Sequence, residues 1–240
     1  MDLSRATWTD IDAVETNLAV LPVGSTEQHG PHAPLGTDVL NATAVAEAGV
    51  DRFEDVVLAP TIPIGVAAEH RQFPGTLWVS EDTFRAYVGE TIESLASHGF
   101  DRVVVVNGHG GNVDALREVC GRVVRDECAY AVSFTWFDAV DYDDFPVGMG
   151  HGGPVETSLL RHCHPDTVHT GRLEAAGEGA SEGWGEWCSG VNLAYDTVEF
   201  TDNGVVGDPL ESSPELGEQL LDTAATALVD LLAAVREREL

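Results

Sequence analysis

The sequence predicts an α/β fold: a mostly parallel sheet in a three-layer arrangement, flanked by helices, in one domain over residues 1–240. Three observations predict it. Short apolar runs at Leu18–Val23, Asp55–Ala59, Arg102–Val106 and Ala129–Phe134 alternate with longer amphipathic stretches. The run Val103–Val106 is apolar at every position, as in a strand covered on both faces. Strand–helix alternation of this size joins parallel strands by right-handed crossovers.

Taken in order, residues 1–17 read as a short helix and lead-in anchored by Trp8 and Ile11. The strand Leu18–Val23 leads into a Gly- and Pro-rich loop. A helix over Val39–Arg52 follows, its packed face at Ala42, Val45, Ala46 and Gly49. The strand at Asp55–Ala59 continues through Thr61–Val66 with bends at Pro63 and Gly65. Ser80 is placed to cap a helix through Ser97 whose buried stripe is Phe84, Val88, Ile92 and Leu95, and Gly99 ends it. A helix over Val113–Asp126 precedes the strand Ala129–Phe134. Residues 137–150 read as an acidic, mobile loop, and Pro154 opens a helix to His162. Residues 171–190 carry six glycines with Trp184 and Trp187, too broken for regular structure, and suit a lid or a subunit contact. Ser213-Pro214 caps and opens a closing helix to Arg238.

The charge is extreme. Forty-one acidic residues face 12 basic ones, all of them Arg, for a net charge of −29. Such a chain repels itself unless dense counterions screen it, which points to a salt-rich cytoplasm. It argues against nucleic-acid binding, which needs a basic face. The four cysteines (120, 128, 163, 188) form no CxxC pair and read as free thiols in a reduced compartment. No apolar run approaches the roughly 20 residues that span a bilayer, and no secretory pattern opens the chain. The expectation is a cytoplasmic protein without membrane partners.

Chemistry concentrates in three places. Residues 24–38 read G-S-T-E-Q-H-G-P-H-A-P-L-G-T-D and bring Glu27, His29 and Asp38 close in sequence. Glu27 and His29 are two apart, so in an extended segment both side chains lie on one side. Two carboxylates and an imidazole on a loop leaving a strand suit a divalent cation; an acidic surface loop with hydrogen-bonding histidines would use the same residues. The second place is N-G-H-G-G-N over 107–112, after a strand, and the third is H-G-G-P-V-E-T-S over 151–158, at a helix start. Parallel sheets bind ligands at the carboxyl ends of their strands, so the three can converge.

These three motifs, in this order, resemble the creatininase family of metal-dependent amidohydrolases, over about Leu21–Asp166. A segment E-H-R-Q-F-P-G-T over 69–76 fits the same family, and places His70 either in the substrate pocket or within an irregular loop. The resemblance implies a centre of two divalent metal ions (Zn, Mn or Fe) bridged by one aspartate and a water, in a homo-oligomer such as a hexamer. Carried over, Glu27, Asp38 and His109 hold one ion, and His29 with the shared Asp38 holds the other. His151 matches the family's proton shuttle. Asn107 and Asn112 brace the loop around His109, Gly110 and Gly111 offer N–H groups to an oxyanion, and His32 orients its loop.

The chain departs from the creatinine-cleaving members twice. They carry a carboxylate two positions after the metal histidine, where this chain has Gly111. Glu156 is the candidate replacement, as a metal ligand at the catalytic centre; a helix-capping carboxylate is the alternative. They also place an aromatic side chain just before the shuttle histidine, where this chain reads Pro146-Val-Gly-Met-Gly150, leaving Trp136 as a distant substitute. The expected activity is hydrolysis of a non-peptide C–N bond in a small-molecule amide. The specific expectation is a formamidopyrimidine-nucleotide deformylase of archaeal flavin and deazaflavin synthesis, with Arg71 as the phosphate contact. A cyclic-amide hydrolase acting on creatinine or an analogue is the alternative, and a non-catalytic metal-binding protein the third reading.

Overall fold

The computed structural model describes residues 1–239. A short helix, α1 (Trp8–Asp12), precedes the first strand, β1 (Leu18–Val23). Helix α2 (Thr37–Val50) crosses to β2 (Val57–Leu58), and α3 (Glu81–Ser97) crosses back to β3 (Arg102–Asn107). Helix α4 (Val113–Arg125) leads to β4 (Tyr130–Thr135). Beyond it lie α5 (Pro154–Cys163), α6 (Leu173–Glu178), a small antiparallel pair β5 (Trp187–Cys188) and β6 (Val191–Asn192), and α7 (Pro214–Glu237).

The main sheet has the order β2-β1-β3-β4 and every pairing is parallel. Alternation along the strands divides two cores. Leu18, Val20, Val104 and Val106 face the layer built from α2, α5 and α7, with Leu220, Leu228 and Leu232 of α7 fully buried against them. Ala19, Leu21, Val103 and Val105 face α3 and α4, meeting Phe84, Val88, Ile92, Leu116 and Val119. Each fully buried large aliphatic side chain contributes about 1.5–3 kcal/mol. The strands are hydrophobic throughout because both faces are covered.

Caps follow the sequence. The Ser80 side chain accepts from Thr83 N–H at α3, and that of Ser213 accepts from Leu216 N–H at α7, where Pro214 takes the first turn. The connection after β1 runs to one side of it and the connection after β3 to the other. The sheet therefore switches direction between β1 and β3, where crevices form beyond the carboxyl ends of the strands.

Three expectations fail. Trp8 is 79% exposed and anchors nothing, whereas Ile11 packs against the α3/α4 core. Residues 171–190 are not wholly irregular: they include α6, held by Leu173 and Ala176, and strand β5. Trp136 lies fully buried in the α7-side core, edge-on to Phe137, too deep to cover a substrate. Among the described residues no helix is long and apolar enough to cross a membrane. All four cysteines are free, with Cys120 buried.

The excess of 29 negative charges lies on a scaffold with few ion pairs to offset it. Thermal unfolding should therefore move to higher temperature between low and multimolar KCl as screening shortens the reach of the repulsion. A melting temperature unchanged by KCl, read by circular dichroism, would refute a salt-adapted surface.

Candidate metal centre

Two glycines bring the ends of β1 and β3 up to the start of α2. A Cβ on Gly24 would lie 2.5 Å from Val39 N, and one on Gly108 would overlap the Asp38 carbonyl oxygen. With neither Cβ present, the first turn of α2 settles into the switch point and carries Asp38 to its centre. Loops after β1 and β3 then supply Glu27, His29 and His109 around it, and the first turn of α5 supplies Glu156.

The geometry is compact. His29 Nε2 lies 3.0 Å from Asp38 Oδ1 and 3.7 Å from Glu156 Oε2. His109 Nδ1 lies 3.2 Å from Glu27 Oε1 and 3.3 Å from Asp38 Oδ2. Asp38 thus presents one oxygen to each imidazole. Two ligand sets follow, Glu27 with Asp38 and His109, and His29 with Asp38 and Glu156, and all five residues are buried.

Each imidazole is fixed from behind. His29 Nδ1–H donates to the Glu27 carbonyl at 3.2 Å, and His109 Nε2–H donates to the Val66 carbonyl at 2.6 Å. The opposite nitrogen of each ring is left to face the cluster, the arrangement that sets the tautomer of metal-binding histidines. Asn107 grips the His109 backbone through both its N–H and its C=O, at 3.1 and 2.7 Å. Asn112 ties three segments together: it accepts from Val66 N–H and donates to the Gly24 carbonyl and to Asn107 Oδ1. His32 is buried and contacts the Thr157 hydroxyl at 2.9 Å, so it orients its loop and faces no ligand set.

The residues fit a metal centre on their own evidence. Glu27 Oε1 and Oε2, His29 Nε2 and Asp38 Oδ2 are buried without a hydrogen-bond partner and converge on one volume. Buried polar atoms are otherwise almost always satisfied, and an uncompensated buried carboxylate is costly. Burial pushes the Glu27 carboxyl up to about 7, against the pull of His109. Burial also acts to raise Asp38, but His29 and His109 bring it down to about 2. Burial disfavours charge on His29 and His109, yet the facing carboxylates reverse this and hold both well above the ordinary histidine value. Protons on these rings supply the positive charge that three buried carboxylates require, and divalent cations would supply it in their place.

His151 stands beside the cluster. Its Nε2–H donates to the Gln28 carbonyl at 2.6 Å, which leaves Nδ1 as the acceptor, 3.8 Å from Glu27 Oε1. Burial, then the nearby His29 and His70 rings, lowers it well below the ordinary value, so it rests as a neutral base. His70 does not line the pocket: it is fully buried, stacked on His151 at 4.3 Å. Its Nδ1 meets Gln28 Nε2 and the Thr197 hydroxyl, leaving Nε2 3.4 Å from Glu27 Oε1.

A cavity of about 430 Å³ opens over the centre, with His109, His151 and Glu156 at its floor, and Gly110 and Gly111 beside them. Its walls include Glu69, Phe137, Trp184, Tyr195 and Phe200. Trp184 lies edge-on to His151 at 5.7 Å, so the aromatic wall comes from the Gly-rich segment and not from Trp136. Nothing in the local spacing of Trp184 signals this, because a contact across 33 residues depends on the fold. Glu69 was also missed, although it directly precedes His70. Arg71 is tied to Asp196 in an ion pair of 2.5 Å and is absent from the lining.

A family model described as creatinine amidohydrolase matches residues 4–232. The chain belongs to the creatininase family. Within that family it is 34% identical, over 89% of its length and 83% of the relative's, to a mycofactocin precursor peptide peptidase of Mycolicibacterium smegmatis. It is 32% identical, over 71% of its length and 75% of the relative's, to a creatinine amidohydrolase of Pseudomonas putida. A mutant creatininase structure of Zn-Zn type superposes with a TM-score of 0.84 at 25% identity, covering 99% of this chain and 98% of the other. Family membership makes the chain an amidohydrolase. It does not restrict the bond to a non-peptide one, since one relative is named a peptidase.

Two outcomes test the centre. Loading the metal-free protein with Zn²⁺ or Mn²⁺ should release protons from His29, His109 and Glu27. Apparent affinity should therefore rise with pH through neutrality, read as base consumed in an unbuffered titration. Replacing Asn112 with Ala should weaken metal binding by about 10–100-fold without touching a ligand, read by competition with a chelator.

Proposed function

We propose that Glu27, Asp38 and His109 hold one divalent cation (Zn, Mn or Fe), that His29, Asp38 and Glu156 hold a second, and that the protein hydrolyses a C–N bond in a short peptide or an amide of similar size. The observation that carries this is a cluster of four unpartnered buried ligand atoms, on Glu27, His29 and Asp38, directly against the His109, His151 and Glu156 side chains that line the cavity. When bound, the cations supply the charge that acidifies a water and polarises the scissile carbonyl. Glu156 stands in for the carboxylate absent at Gly111: it is buried within reach of His29, and its Oε2 accepts from Gly152 N–H at 2.7 Å.

The remaining roles belong to side chains and backbone around the cavity. His151 starts neutral, takes a proton from the attacking water at Nδ1, and returns it to the departing nitrogen. Its Nε2–H stays on the Gln28 carbonyl throughout and keeps the ring aimed. The backbone at Gly110 and Gly111 lines the cavity and is suited to hold the developing oxyanion. Phe137, Trp184 and Phe200 restrict water around the reacting bond.

The peptide reading is supported by the 34% identity to the peptidase across nearly the whole chain. The nucleotide-deformylase reading loses its support: no Arg is among the residues lining the cavity, the carboxylate left outside the ligand sets there is Glu69, and Arg71 is held by Asp196. A cyclic amide such as creatinine keeps some standing because Trp184 offers an aromatic edge near His151. A homo-oligomer and a salt-rich cytoplasm remain part of the proposal.

Protein purified at high salt should carry two metal ions per chain by elemental analysis. His151→Ala should keep both and lose about 10²- to 10⁴-fold in rate on peptide amides. Loss of metal in this variant would make His151 a ligand alongside Glu27 and His29, a grouping the distances also permit. Ring-opened acid or formate as the sole product, across peptide, creatinine and formamide substrates, would reject the peptide reading.

A further inference from the structure

Glu69 is the carboxylate in the cavity that neither ligand set uses. It is 25% exposed on its side chain, and its Oε1 sits 3.7 Å from His109 Nε2. That His109 nitrogen already donates to the Val66 carbonyl, so Glu69 receives no hydrogen bond from it. Among the described residues no Arg lies within ion-pair distance of Glu69, although its neighbour Arg71 is paired with Asp196.

The position of Glu69 depends on Gly111. A Cβ built on Gly111 would lie 2.9 Å from Glu69 Oε1 and 2.5 Å from His109 Nε2. A side chain at 111 would meet the Val66 carbonyl first, so glycine there keeps clear both that carbonyl and the Glu69 carboxylate beside it. Across the same cavity stand Trp184 and Phe200, their rings 5.6 Å apart, with Tyr195 at the exposed rim. A partly desolvated carboxylate with no Arg partner, in a cavity that aromatic rings also line, is the chemistry that selects an organic cation, through charge and through the ring quadrupole. The field of the whole molecule, with its net charge of −29, draws cations to such a cavity.

We infer that Glu69, with the wall of Trp184 and Phe200, forms a subsite for a positively charged group of the substrate, a primary ammonium such as a peptide N-terminus. This rests on the amidohydrolase reading and adds to it the charge of the molecule that is cleaved. Glu69 touches the substrate in this account and holds no metal.

The test uses the metal-loaded full chain and two probes, glycylglycinamide with a free amino terminus and its N-acetyl form, in which the ammonium is replaced by a neutral, bulkier amide; the Glu69→Gln comparison separates charge from size. Calorimetry should give about ten-fold tighter binding for the ammonium form, corresponding to about 1.4 kcal/mol. Glu69→Gln should bring the two affinities within about two-fold of each other while elemental analysis still finds the metal content of the parent. Equal affinities in the parent, an unchanged ratio in Glu69→Gln, or no binding of the ammonium form at millimolar concentration would each overturn the subsite. Loss of metal from Glu69→Gln would also overturn it, by making Glu69 part of the centre. The metal count reports on the amidohydrolase reading and the affinity ratio on the subsite, so either can fail without the other. Phe200→Leu, at the opposite wall, should weaken the ammonium probe more than the acetylated one, and equal weakening of both would count against the aromatic contribution.

Discussion

The structure depends on one buried carboxylate. Asp38 sits in the first turn of a helix, almost without solvent contact, and shares its two oxygens between imidazoles that arrive from different strands. A carboxylate in that position is tolerable only if positive charge meets both oxygens. The rest of the local architecture serves that requirement. Gly24 and Gly108 give up their side chains so that the helix can approach the strand ends. Asn107 and Asn112 hold the loop that delivers His109, and the Val66 and Glu27 carbonyls orient the two rings. The helix start at Asp38 adds its own favourable field for an anion.

The parallel sheet explains why the site lies where it does. Connections from β1 and β3 diverge, so the crevice between them is left open at their carboxyl ends. Residues far apart in sequence then meet without any of them leaving its own segment: Glu27 and His29 after β1, His109 after β3, Glu156 at α5. The acidic surface plays no part in this assembly. It affects how the fold responds to salt and which solutes gather around it.

How far the sequence foretold this can be argued from individual residues. The strands, and the helices at 81–97, 113–125 and 214–237, were visible because periodicity and caps are local properties. The ligand candidates were visible because their motifs are short and sit beside strand ends. Trp8 misled because a lone aromatic near a chain start looks like an anchor, and only the tertiary structure shows that nothing covers it. Trp136 misled in the opposite sense, since its proximity to His151 in sequence concealed that its segment turns into the core. Trp184 was placed only within a segment suited to a lid or a subunit contact, because a glycine-rich segment has no period from which to read a face. His70 was open to two readings, the substrate pocket or a hydrogen-bonded place within its loop, and it takes the second: it lies behind His151 and Glu27, bonded to Gln28 and Thr197.

Gly111 shows how a departure from a family's pattern is best interpreted. Taken alone, the absence of a carboxylate two residues after His109 suggests a weakened second ion site. In three dimensions the departure separates into two parts. Glu156 brings a buried oxygen within reach of His29 from another helix, so a three-residue ligand set is present without position 111. The Glu69 carboxylate lies 2.9 Å from where a Cβ at 111 would stand, and it lines the cavity. Two dications against Glu27, Asp38 and Glu156 would leave the centre with one net positive charge. An additional carboxylate at its edge is electrostatically compatible with such a centre, and would be costly beside one that held no metal. The same substitution that takes a ligand from one position therefore makes room for a charged group at another. Under the subsite proposal, position 111 bears on what the cavity recognises, while the ligand group at His29 is present without it.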